Sequence, residues 1–131
     1  MRDRKEVRAR LATLALVILQ ILLTSGGQVL WKKSLEQSGG VVVNGQMLFL
    51  PLLRLVLNPV FLTGTILYGC ATLLWFYLLS RFELSYIYPF LSLTFIVSFV
   101  GARLFLGETI SFLRWAAVGL ISLGVFLMTR S

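Results

Sequence analysis

Four stretches of this chain are each about 20 residues long and nearly free of charge, approximately residues 11–31, 59–80, 86–106 and 112–129. A helix of 20 apolar residues, rising 1.5 Å per residue, crosses the roughly 30 Å hydrocarbon core of a bilayer. A backbone in lipid must satisfy its own hydrogen bonds, so each stretch is expected to be a helix. The expected fold is an all-α integral membrane protein, a single four-helix transmembrane domain over residues 11–131 preceded by a basic tail at 1–10. A mean hydropathy of +0.91 agrees with that class. "MRDRKEVRAR" followed by an apolar run also has the outline of a secretory leader, with Ser25, Gly26 and Gly27 where cleavage would fall. No A-x-A site is present and no soluble domain follows, so the segment is expected to stay as the first span.

Composition excludes several classes. With no His, the single Cys70 and five acidic residues, the chain has no metal-ligand spacing, disulfide or nucleophilic triad. Neither an enzyme, nor a metal, nor a cofactor is expected. The net charge of +7 would suggest nucleic acid in a soluble protein. Here much of it precedes the first apolar run, which is a topology signal. Both termini are expected in the cytoplasm, with Arg2, Arg4, Lys5, Arg8, Arg10, Arg81 and Arg130 inside and Lys32, Lys33, Arg54, Arg103 and Arg114 outside.

"KKSLEQSGGVVVNG" reads as a loop after the first helix. The next segment, "QMLFLPLLRLVLNP", is not an extension of the second span, because residues 46–80 as one helix would reach about 50 Å. Asn58-Pro59 is the natural break. Gln46, Arg54 and Asn58 share a face, which predicts a short interfacial helix over about 46–57, with a flexible apolar loop as the alternative. Pro89 is expected near the start of the third span, where a missing N–H costs little.

Gln20, Thr24, Gln28 and Lys32 recur every fourth residue and form one polar stripe on the first helix. Such a stripe is costly against lipid, so it faces either a polar ligand or another helix. Its amides and hydroxyl suit neutral groups such as sugar hydroxyls. Glu36, Glu83 and Glu108 all fall outside the spans, so no carboxylate is available at mid-depth to exchange a proton for a cation. Lys32, Lys33, Arg54, Arg103 and Arg114 gather at one water boundary as a candidate phosphate rim, or as separate side chains snorkelling to headgroups. Arg81 marks the opposite boundary, so a phosphate-bearing lipid can be met on both sides. Tyr68, Thr72 and Trp75 share a face of the second span, and Tyr88 and Ser92 are expected to complete a polar lining beside Gln28. Interfacial belts explain Tyr77, Tyr86 and Trp115.

Four helices are too few to enclose a pathway and gate it from both sides, and no internal repeat is visible, so a second chain is expected. Ala116, Gly119, Ser122 and Gly124 offer a close-packing face for it, or for packing within the chain.

"YIYPFLSLTFIVSFVGARLFLGETISFLRWAAVGLISLGVFL", residues 86–127, resembles the C-terminal portion of drug/metabolite transporter superfamily members. It has a Tyr-Pro helix opening, a Leu-Ser-Leu step, an "LGE" turn and a Gly-rich last helix in order. "SGGQVLWKKSL" resembles the first helix of the same group. Within it the chain is most similar to the small four-helix proteins related to aminoarabinose-phosphoundecaprenol flippase subunits. The resemblance implies a bacterial inner-membrane protein that carries a polyprenyl-phosphate-linked sugar between leaflets, as a homodimer or with a paralogue. Gly27, Gln28 and Lys32 match that group, and Glu108 joins the candidate residues through the "LGE" turn. The chain also resembles, more distantly, the small multidrug resistance exporters, which work as antiparallel dimers. Their first-helix Glu aligns with Thr24, an aromatic of their third helix is replaced by Leu91, and Tyr88 matches their binding-site Tyr. The alternatives to a flippase are export of cationic or amphipathic compounds and a non-transporting subunit of a membrane glycosyltransferase complex.

Overall fold

A computed structural model describes residues 2–39 and 49–130. The helices are α1 (Arg2–Gln37), α2 (Phe49–Val56), α3 (Pro59–Arg81), α4 (Leu84–Phe105) and α5 (Phe112–Arg130), with no strand among the described residues. Three of them, α1, α3 and α4, are long and apolar enough to cross a bilayer. The apolar part of α5, Phe112–Met128, is shorter. It lies near the lower limit of about 17 residues for a crossing. The protein is therefore an all-helical membrane protein with three long candidate spans rather than the four expected.

Helix α1 differs most from expectation. The basic tail is not a separate segment but the opening turns of the same helix, which also runs past residue 31 to Gln37. Residues 2–16 are mostly Arg, Lys, Glu, Ala and Leu, all good helix formers, and contain neither Gly nor Pro. At 1.5 Å per residue its 36 residues make a rod of about 54 Å, well beyond the hydrocarbon thickness. Lys32 and Lys33 consequently stand before the helix end rather than at it.

Asn58-Pro59 does break the chain. The Asn58 side chain accepts the Val60 N–H at 2.8 Å, capping α3, and Pro59 takes the first helical position. Helix α2 buries Leu55 and leaves Phe49, Leu50, Leu52, Leu53 and Val56 exposed. Gln46, expected on its polar face, lies outside the described residues. Helix α4 starts at Leu84, so Pro89 is inside it rather than at its opening. The ring removes the N–H that would otherwise bond to the Ser85 carbonyl.

Helix α1 is central. Val17 packs with Leu78 and Gly27 lies against Gly64, so α3 runs antiparallel to α1. Ser25 pairs with Thr94 and Gln28 with Ser98, so α4 runs parallel to it. The buried positions of α3 are Gly64, Ala71 and Leu78, a seven-residue repeat that keeps one narrow seam against α1. Val17, Ile21, Leu78 and Ile87 form the buried core. Helices α3 and α4 meet mainly near their connecting turn, and α5 leans on α4, with Trp115 edge-on to Phe99 at 5.1 Å. Large apolar side chains are exposed along every helix, as lipid contact requires.

Candidate functional site

The polar stripe of α1 faces α4. Gln20 is 5% exposed, and its Oε1 accepts the Thr24 hydroxyl at 3.3 Å. One turn on, Ser25 donates to the Thr94 carbonyl at 3.3 Å, and Ser98 donates to Gln28 Oε1 at 3.1 Å. In this single chain the stripe is a hydrogen-bonded seam, closed at Gln20 and opening toward exposed Gln28 and Lys32. Ser98 was not singled out from sequence. Its signal was the small-residue spacing Thr94, Ser98, Ala102 on the third apolar run.

Tyr88 and Ser92 do not join Gln28. Helix α4 runs parallel to α1, so Gln28 is level with Ser98, and Tyr88 lies ten residues earlier, about 15 Å along the axis. Tyr88 instead packs edge-on against Trp75, with ring centroids 6.0 Å apart, near the α3–α4 turn. Tyr68 turns to α1, where it stacks on Trp31 at 4.7 Å, and Thr72 donates to the Tyr68 carbonyl of its own helix at 2.9 Å. Trp31 is the unforeseen anchor. Its indole N–H reaches Thr65 Oγ1 at 3.0 Å, and its ring also stacks on Phe61 at 6.0 Å.

The alternation of helices brings Lys32, Lys33, Arg54, Arg103 and Arg114 to one end. Two of the cations already have partners. Lys32 pairs with Glu36 at 3.6 Å across one exposed turn, a contact worth about 0.3–0.5 kcal/mol. Arg103 donates from Nη1 to the Glu108 carbonyl at 3.0 Å. This bond ties the end of α4 to the "LGE" turn, where Gly107 takes φ +66, a left-handed conformation that suits glycine. Through its backbone, Glu108 thus shapes the turn. Arg54 is exposed on α2.

At the opposite end lies an open groove of about 830 Å³ between the early turns of α1 and the α3–α4 turn. Arg10, Arg81 and Glu83 line it. Lys32–Glu36 is the sole ion pair among the described residues, so these three charges do not neutralise one another. Arg81 sits 5.7 Å over the Tyr77 ring. The inner wall of the groove, Val17, Ile87 and Phe90, also bounds a void of about 10 Å³ beside Gln20. That space is no larger than one water, so a single layer of side chains separates the groove from the polar seam. Arg10 and Glu83 entered the sequence reading only as topology and loop charges, because 73 positions separate them.

No protein-family model matches the chain, and no solved structure is significantly similar to it. Three similar proteins are each named probable 4-amino-4-deoxy-L-arabinose-phosphoundecaprenol flippase subunit ArnE. The one from Aeromonas hydrophila is 38% identical over 113 residues, covering 86% of this chain and 93% of the relative. Its counterpart from Aeromonas salmonicida is 34% identical over the same shares. A Yersinia pestis protein is 39% identical over 61 residues, 47% of this chain and 54% of its own length. With identity of this level across most of both Aeromonas proteins, the chain belongs to the ArnE family.

Proposed function

We propose that this chain is one subunit of a flippase that moves a polyprenyl-phosphate-linked sugar, or a related polyprenyl-phosphate lipid, between leaflets of the bacterial inner membrane. The observation that carries the reading is the α1–α4 polar seam, bounded by cations at both ends, in a relative of proteins named flippase subunits. The relatives' name specifies an amino sugar joined through phosphate to a polyprenol. On this reading Gln20, Thr24 and Gln28 bind the headgroup as it passes, Tyr88 and Ser92 serve it at the other depth, and Tyr68 and Trp75 hold α3 in place. Lys32, Arg54 and Arg103 take the phosphate at one boundary, near the Glu108 turn.

The seam is closed in one chain, so passage requires α1 and α4 to part beside a second chain, a copy or a paralogue. The face of α5 with Ala116, Gly119, Ser122 and Gly124 suits that partner. Ala116 and Gly119 are exposed, and a Cβ on Gly119 or Gly124 would meet nothing within 4 Å. Helix α5 then completes four spans, with both termini cytoplasmic. Proton-coupled cation export is disfavoured, because Asp3, Glu6, Glu36, Glu83 and Glu108 all lie at helix ends or in turns.

The test measures undecaprenyl-phosphate affinity and thermal stability on the same variants in detergent. Lys32→Ala should weaken binding about tenfold to hundredfold, the equivalent of one charge-assisted hydrogen bond. Gln28→Leu should weaken binding of the sugar-bearing lipid only. Unchanged affinity in both variants would sink the reading. Binding without movement between the leaflets of a liposome would favour the non-transporting subunit.

A further inference from the structure

We propose that the outer face of α1 is a binding surface for anionic glycerophospholipids, with Arg4, Lys5 and Arg8 over the headgroups and Leu11, Ile18 and Leu22 along the acyl chains. None of these residues lines the groove or makes a bond of the polar seam, so the assignment does not depend on the flippase reading.

The sorting of charge around the helix carries the argument. Successive residues turn by about 100°, so Arg4, Arg8, Leu11, Ala15, Ile18 and Leu22, spaced alternately by four and three, share one face. All six are exposed. The buried residues Val17, Gln20 and Ile21 belong to the other side, which holds α3 and α4. Lys5 flanks the outer face, three residues before Arg8. The acids of the same turns, Asp3 and Glu6, fall roughly 100° and 160° round the helix from it, toward the bundle. Neither is ion-paired with a cation among the described residues. Cations thus stand over the lipid, and acids over the protein.

Spacing and height agree. Side chains three and four apart on a helix are neighbours, and like charges at that spacing repel. An anion seated among Arg4, Lys5 and Arg8 converts that repulsion into attraction. Leu11 opens the apolar run, and Arg8 stands three residues, about 4.5 Å, beyond it, with Arg4 about 10.5 Å beyond. A headgroup layer is about 5–8 Å deep on each side of the hydrocarbon, so Arg8 lies within it while the long side chains of Arg4 and Lys5 meet its outer edge. A second copy of the chain fits this face poorly. Parallel pairing would set Arg4 and Arg8 against themselves, and antiparallel pairing would press them onto Ile18 and Leu22 of the other copy inside the bilayer.

The experiment titrates the full chain with phosphatidylglycerol and, separately, phosphatidylcholine, and counts bound lipid by native mass spectrometry. The wild-type protein should prefer phosphatidylglycerol. Arg8→Gln should weaken phosphatidylglycerol about fivefold and leave phosphatidylcholine unchanged, whereas Arg8→Lys, which keeps the charge, should retain the preference. Arg10→Gln removes the same charge two residues away, on the groove side, and should change either lipid by less than about twofold. Equal losses in Arg8→Gln and Arg10→Gln would reduce the effect to net charge and overturn the face, as would a wild-type protein that does not distinguish the two lipids. The side chains of Arg8 and Arg10 are exposed, so melting curves matched to wild type are expected of every variant. Ala15→Cys on a Cys70→Ser background, reconstituted in liposomes containing phosphatidylglycerol, should stay uncrosslinked on oxidation. Rapid disulfide formation there would put a second copy on the face and overturn the lipid assignment.

Discussion

The α1–α3 seam and helix α5 both carry glycines within apolar helices, yet they use them in opposite ways. At the seam a Cβ on Gly27 would stand 2.9 Å from the Gly64 carbonyl oxygen, and one on Gly64 would meet Trp31 Cδ1 at 2.9 Å and the Gly27 oxygen at 3.0 Å. These glycines are consumed by the approach of two backbones, where weak Cα–H···O contacts of about 0.5–1 kcal/mol each become available. On α5 the space around Gly119 and Gly124 is open. Small residues in a membrane helix thus mark capacity for close packing and do not say whether the same chain has filled it. The difference is made by what stands beside them. Trp31 and Thr65 lock the seam with an indole hydrogen bond, whereas α5 has Phe112, Leu113 and Leu120 facing outward.

Three measurements can break or sharpen this contrast. The largest effect is expected from Gly64→Ala, which should cost about 1–3 kcal/mol by overpacking against backbone atoms that have nowhere to go. Gly119→Ala and Gly124→Ala, melted in detergent under conditions that keep single chains, should stay within about 0.5 kcal/mol of wild type. Equal stability of all three variants would erase the distinction. Next comes Trp31→Phe, which keeps most of the stacking on Tyr68 but loses the bond to Thr65. A loss of about 0.6–1.7 kcal/mol is expected, matched by Thr65→Val and not additive with it. The smallest effect belongs to the polar seam. A double-mutant cycle of Gln28→Leu with Ser98→Ala should return a coupling near 0.6 kcal/mol. A coupling of zero would mean that the two side chains are apart in solution and the seam already open.

Much of the architecture was legible because lipid imposes few solutions. Apolar run length gave the helices, Asn58-Pro59 gave a real break, and the acids fell outside the middle of the bundle. Other features were hidden for identifiable reasons. Charges mark where water begins and not where a helix stops, so α1 could continue through its basic turns and past Lys33. Face periodicity places residues around a helix without fixing their height on a neighbour, which is how Tyr88 could be set beside Gln28 when it belongs with Trp75. Arg103 was read by its charge, although its first partner is a backbone carbonyl. The groove was least legible, because Arg10 and Glu83 meet only after α3 has run back along α1.

The hydrogen bond between Gln28 and Ser98 joins residues 70 positions apart. During synthesis at about 5–20 residues per second, some 4–14 s pass between the emergence of the amide and that of its hydroxyl partner. The neighbouring Ser25 to Thr94 bond, 69 positions apart, waits as long. For the first part of that interval α1 has neither α3 nor α4, and for the rest it has α3 alone, so the side chains that α4 answers stay without it. The nascent chain spends those seconds with its α1–α4 seam unmade. The polar stripe of α1 is therefore also a timer on the protein's assembly.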